Sequence, residues 1–279
     1  GPRLGGEALD TFKVVCSPRR ITLGRASARC VEVPDDAETR RAVQGLADYW
    51  QLDAAFVDPT LKLTDFRVLA MDMDSTLINI ESLDEVAACA GKGEEVAAIT
   101  EAAMRGEIKD YAASLRKRVA LLAGADAGLL QRVLDDKLRL NPGAEELVVA
   151  CRKAGLKTLL VTGGFTFFTE KVRERLGFDH VRANEIGIAD GRLTGTVTGP
   201  SGGPIVDAEG KAQAVRDVCA ELGCGTDRAI VIGDGANDLK MMAIAGLSVA
   251  YRAKPVVREK ATQALIHAPL DGVLNWFAG

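Results

Sequence analysis

The chain has 279 residues, enough for one large domain or two modest ones. Hydrophobic residues make up 47% and charged residues 27%, a balance that excludes a largely disordered protein. Thirty-five Lys and Arg against 39 Asp and Glu leave a net charge of −4, which argues against a nucleic-acid binder, and two histidines exclude a multi-His metal site.

The first 65 residues read as a small α+β unit. Residues 11–16, 30–33 and 54–57 pattern as short strands. Between the last two, a helix is expected over 35–51, opened by Asp35 with Glu38 three residues on, a capping-box pattern. Ala42, Val43, Leu46, Ala47 and Trp50 recur along it at helical spacing. Residues 58–65 read as a linker. The start lacks the apolar core of a signal peptide, and Gly1-Pro2 reads as the scar of a cleaved tag.

From Phe66 to the end, apolar strand runs at 68–71, 158–161 and 229–232 alternate with helical patterns. That alternation predicts an α/β fold with a parallel, Rossmann-like sheet whose ligands bind beyond the carboxyl ends of its strands. Residues 81–140 interrupt it with helical patterns only, at 82–90, 94–104, 110–122 and 126–138. Ser82 with Glu85 suggests a second capping box there, and Asp126 a further N-cap. Such an insertion after the first strand makes a natural helical cap, so the second domain is taken as 66–279 with its cap at about 81–140. A hairpin is expected over 184–199 around Asp190-Gly191.

Three strand ends carry polar clusters. Asp72 and Asp74 follow the first strand, in Met71-Asp72-Met73-Asp74-Ser75-Thr76, and two such carboxylates are costly to desolvate unless a cation offsets them. Thr162-Gly163-Gly164 follows the second, where a hydroxyl and free amides at a helix start suit a phosphate. Gly233-Asp234-Gly235-Ala236-Asn237-Asp238 follows the third, with hard oxygen ligands that select Mg²⁺. Each cluster alone also reads as helix capping or an ordinary glycine turn. Their conjunction, in an order that a parallel sheet brings together, does not.

At these residues the sequence resembles the haloacid dehalogenase superfamily, and within it the phosphatases of O-phosphoserine. The likeness runs from about Arg67 to the C-terminus and includes Ser114-Leu115-Arg116-Lys117-Arg118-Val119. It implies a Mg²⁺-dependent phosphomonoesterase completing serine biosynthesis, with Asp72 as nucleophile forming an aspartyl-phosphate and Asp74 as general acid and then base. It further implies Mg²⁺ held by Asp72, the backbone carbonyl of Asp74, and Asp234, with Asp238 orienting that shell. Thr162 and Lys211 would balance the phosphoryl charge, although Lys211 by itself reads as a surface lysine. Glu81 would meet the substrate's ammonium and Arg118 its carboxylate, while Met104, Tyr111, Gly163 and Asn237 would complete the pocket. Of the charge run 116–118, only Arg118 shares a helical stripe with Tyr111, Leu115 and Leu122.

Six cysteines without a C-x-x-C pair read as reduced thiols of a cytoplasmic protein, and no apolar run approaches the ~20 residues of a membrane span. The expected partner is the small-molecule substrate, with no nucleic acid or membrane and a homodimer left open. The rival readings are a phosphatase for another small phosphorylated metabolite, a hydrolytic dehalogenase, and a non-catalytic amino-acid sensor.

Overall fold

The computed structural model describes residues 4–24, 27–105, 107–108 and 110–278, so the reading of Gly1-Pro2 lies outside it. The N-terminal stretch holds α1 (Gly6–Cys16), β1 (Arg20–Leu23), β2 (Ala28–Val31) and α2 (Ala37–Trp50). The expected strand at 11–16 is therefore helix. Ala8 and Cys16, the buried positions of α1, lie two turns apart on one face, and packing against α2 overrides the strand-like run around Val14. The expected strand at 54–57 is irregular chain outside any sheet, and that at 30–33 begins and ends two residues earlier. Asp36, not Asp35, caps α2 by accepting from the Thr39 N–H at 2.8 Å, while Asp35 pairs with Arg40.

This stretch docks on the chain's other end. Asp53 accepts from the backbone N–H groups of Ile266, His267 and Ala268, and the Arg29 guanidinium donates to the Trp276 carbonyl at 2.7 Å.

A seven-stranded sheet forms the centre. Its middle strand β3 (Val68–Met71) pairs in parallel with β4 (Lys157–Phe165) on one side. In chain order follow β5 (His180–Ala189) and the antiparallel edge β6 (Arg192–Thr198), which close the expected hairpin. On the other side of β3 lies β7 (Ala229–Gly233), then β8 (Leu247–Tyr251) and β9 (Gln263–Leu265), all parallel. Strand order reverses at β3, so the carboxyl ends of β4, β3 and β7 lie side by side. Leu69 and Met71 face one buried apolar cluster and Val68 and Ala70 another, which is why this strand reads as a continuous apolar run.

Between β3 and β4 come α3 (Ser82–Cys89), α4 (Gly93–Met104), α5 (Tyr111–Ala120), α6 (Gly128–Asp136) and α7 (Ala144–Lys153). The first four form the insertion; α7 returns to the sheet. The Asp126 side chain accepts from the Gly128 N–H at 2.8 Å as α6 begins. The insertion's two connections to the core lie together, with Ile78 bridged to Leu140 and the Asn79 N–H donating to the Arg139 carbonyl at 3.0 Å. The remaining helices are α8 (Thr166–Leu176), α9 (Ala208–Glu221), α10 (Leu239–Ala243) and α11 (Pro255–Arg258). Among the described residues, no helix is long and apolar enough to cross a membrane.

Candidate active site

The chain leaves β3 through an irregular turn, Met73–Leu77, in which Ser75 takes a left-handed φ of 55°. A non-glycine residue holds that conformation at a cost, and the surroundings enforce it. The buried Asn141 amide donates to the carbonyls of Thr76 at 2.8 Å and Ile78 at 3.0 Å, and the Ser75 hydroxyl donates to Glu81 at 2.7 Å.

At the head of this turn, Asp72 is 4% exposed and its Oδ1 lies 2.8 Å from Lys211 Nζ. Lys211 sits in the first turn of α9, which is fixed by the Asp207 carboxylate accepting from the Gly210 N–H at 2.8 Å. The same ammonium donates to Asp238 Oδ1 at 2.7 Å. Burial opposes the charge on Lys211, but Asp238 and Asp72 outweigh it and hold its pKa above the ordinary lysine range. Asp238 Oδ2 accepts from the N–H groups of Asp234 and Gly235, so both its oxygens are committed within the protein. Gly233 has to be glycine, because a Cβ there would overlap the Asp238 carboxylate.

Asp234 accepts from the Thr76 hydroxyl at 2.7 Å, and burial raises its pKa to about 6. Carboxylate oxygens of Asp72, Asp234 and Asp238 all lie within 4.8 Å of one another. Three acids gather around one ammonium that pairs with only two of them, an excess of negative charge in a sequestered place. That donor set fits a hard divalent cation, with Asp72 and Asp234 the carboxylates free to bind it.

Asp74 lies two residues beyond Asp72. Burial first, then the charge of Glu81, pushes its pKa up to about 8, and its Oδ1 is buried without a partner. The Ser82 hydroxyl donates to its Oδ2 at 3.0 Å. Ser82 thus serves the carboxylate and does not form the expected capping box; Glu81 occupies the N-cap position of α3. From β4, the buried Thr162 hydroxyl accepts from the Gly164 N–H at 2.9 Å, and a Cβ on Gly164 would stand 3.1 Å from Asp74 Oδ2.

The cap places other expected residues at this edge. Tyr111, the first residue of α5, brings its hydroxyl against Gly163. Arg118, two turns further along, is half-buried with its Nε sequestered and unpartnered, and its charge acts on Glu81 and Asp84. Arg116 and Lys117 are exposed, and so is Glu81. Asn237 is half-buried in the turn after β7. Met104 ends α4, and its side chain lies outside what is described.

The family model of haloacid dehalogenase-like hydrolases matches residues 69–243. The chain belongs to this family. A phosphoserine phosphatase of Polaromonas sp. strain JS666 is 56% identical over 217 residues, 78% of this chain and 92% of that protein. The crystal structure of a probable phosphoserine phosphatase from Vibrio cholerae superposes with a TM-score of 0.80 at 35% identity, covering 98% of this chain and 83% of that one. A substrate-bound phosphoserine phosphatase complex superposes with a TM-score of 0.69 at 33% identity, covering 76% and 99% respectively.

Three residues of this hydrolase site escape sequence reading. Ser82 and Asn141 have been met above. The third, Asn184, is fully buried where β5 passes the site; its Nδ2 donates to the Gly163 carbonyl and its Oδ1 accepts from the Val206 N–H, each at 2.8 Å. It ties Gly163 to the segment that leads into Lys211; the expected turn at 162–164 is in fact the irregular last part of β4, where its pairing with β5 shifts register. No local signal marks Asn184, since residues 181–186 read Val-Arg-Ala-Asn-Glu-Ile, with charged neighbours on either side of the amide.

Proposed function

We propose that the chain hydrolyses O-phosphoserine to serine and phosphate, the final step of serine biosynthesis. The observation that carries this reading is the pairing of Asp72, held at 2.8 Å by a buried lysine, with an Asp74 whose pKa lies at about 8. Burial and then the charge of Asp238 push the pKa of Asp72 up while Lys211 pulls it down. The attacking anion therefore depends on Lys211 and on the cation Asp72 would bind, whereas Asp74 can carry a proton at neutral pH.

Asp72 Oδ attacks phosphorus in line; the P–O bond to the serine oxygen breaks and an aspartyl-phosphate forms. Asp74 gives its proton to the departing oxygen. It then takes one from the water that cleaves the acyl phosphate, which restores Asp72. Lys211 and the Thr162 hydroxyl balance charge on the phosphoryl oxygens. Mg²⁺ would be held by Asp72, the Asp74 carbonyl and Asp234, and when bound it supplies charge neutralisation and orientation of the phosphoryl group. Asp238 positions Lys211 and the Asp234 turn.

Specificity comes from the cap. The Arg118 guanidinium, whose Nε is buried without a partner, suits the substrate carboxylate, and Glu81 suits its ammonium. Tyr111 walls the pocket, and Gly163 and Asn237 complete it. Six free cysteines among the described residues support a reducing compartment, the cytoplasm.

Steady-state kinetics with phosphoserine and phosphoethanolamine, with and without a chelator, test this reading. The value of kcat/KM for phosphoserine should exceed that for phosphoethanolamine, which lacks the carboxylate, by at least about 10²-fold. The chelator should abolish turnover and added Mg²⁺ restore it. Equal values for the two esters would redirect the search to another metabolite. Activity that survives chelation would favour a metal-free reaction of the dehalogenase kind.

A further inference from the structure

Tyr111 is more than a wall. Its ring stands so close to Gly163 that a Cβ there would lie 3.0 Å from Cζ and would overlap the hydroxyl oxygen itself. The phenol therefore reaches the Gly163 backbone near the carboxyl end of β4, between the cap and the sheet. Tyr111 opens α5, whose first turn is fixed by the Asp110 carboxylate accepting from the Ala112 N–H at 3.0 Å.

Among the described residues, the hydroxyl has no hydrogen-bond partner. It nevertheless lies within the electrostatic reach of Lys211, Arg118, Asp72 and Asp74, the groups that surround the reacting atoms. Tyr111 is half-buried, so its hydroxyl is left open to a ligand that enters beside Gly163.

Resting on the phosphatase reading above, we infer that the Tyr111 hydroxyl donates a hydrogen bond to a non-bridging oxygen of the bound phosphomonoester, making the cap a direct contributor to phosphoryl recognition. The cap then offers two different groups from one face of α5, two turns apart: a phenol for the phosphoryl end, shared by every monoester, and a guanidinium for the carboxylate end, peculiar to an amino acid. Gly163 is glycine because any side chain would displace the donor.

Tyr111→Phe, which removes a single oxygen, separates these roles. Its kcat/KM should fall about tenfold, the worth of one hydrogen bond to a charged acceptor. The fall should be equal for phosphoserine and for 4-nitrophenyl phosphate, and the inhibition constants of inorganic phosphate and orthovanadate should rise in parallel. A fall confined to phosphoserine, or unchanged inhibition by the two oxyanions, overturns the inference. Gly163→Ala should lose activity, and Gly163→Ala with Tyr111→Phe should recover none of the phosphate affinity, since the donor is gone in both. Restored phosphate affinity in the double variant would mean that the phenol only obstructs the site. The aryl ester and the oxyanions report on Tyr111 even if phosphoserine proves not to be the substrate.

Discussion

Lys211 Nζ and Asp238 Oδ1 meet at 2.7 Å, from α9 and from the turn after β7, with neither side chain more than 1% exposed. Both are charged, and each is tolerable inside the protein only because of the other. Asp238→Ala leaves the ammonium with Asp72 alone and frees two backbone N–H groups. It should destabilise the chain by about 3–5 kcal/mol in urea unfolding. A midpoint within error of the parent would show that Asp238 is dispensable to the fold.

Asp72→Asn keeps the shape and removes the nucleophilic anion. Turnover should fall about 10⁴-fold or more, with the melting temperature nearly unchanged. Asp74→Asn should behave differently with leaving group. Serine leaves as a strongly basic alkoxide unless protonated, whereas 4-nitrophenolate leaves unaided, so the loss should be about 10²-fold or more greater for phosphoserine. Equal losses on both esters would remove Asp74 from the role of acid.

Arg118→Ala addresses substrate choice. It should lower kcat/KM for phosphoserine about 10²-fold while sparing an aryl phosphate. Equal damage to both would point to a cap that no longer seats.

Asp179 predicts a dependence of stability on pH far from the acids at the sheet edge. It accepts from the Lys157 ammonium at 2.7 Å, the Thr158 N–H at 3.0 Å and the Thr158 hydroxyl at 2.9 Å. Burial pushes its pKa up, but these bonds prevail and hold it below the ordinary carboxylate range. The folded state therefore favours the ionised form. The stabilisation is complete above the unfolded value, ~3.9, and is lost as pH falls through the folded pKa. Asp179→Asn should cost about 1–2 kcal/mol at neutral pH, and that cost should shrink toward zero near pH 2. Thermal melts of both proteins across this range measure it; a constant difference would contradict the sign.

How much of this was legible in the chain follows from where each partner lies. Asp72, Thr162 and Asp234 each follow an apolar strand run, and the geometry of parallel sheets alone sets those ends together. Asn184 and Asn141 act on residues 21 to 65 positions away, so no local pattern marks them. Ser82 was misread because a serine three residues before a glutamate satisfies a capping rule, while its real acceptor comes from the preceding turn. In α1 the β-branched pair Val14-Val15 suggested a strand, and only the contact with α2 decides for helix.

The cap enters and leaves the core through adjacent residues, Asn79 and Arg139, joined by a backbone bond and by the Asn79 side chain accepting from the Arg139 N–H at 2.8 Å. A second attachment lies at the sheet edge, where the Gly124 and Ala127 N–H groups donate to the carbonyls of Leu193 and Gly191 in the β5–β6 hairpin. Clamped at both points, the insert also lends the Ser82 hydroxyl to Asp74, so exchanging it for another would strip β6 of partners and the acid of its donor.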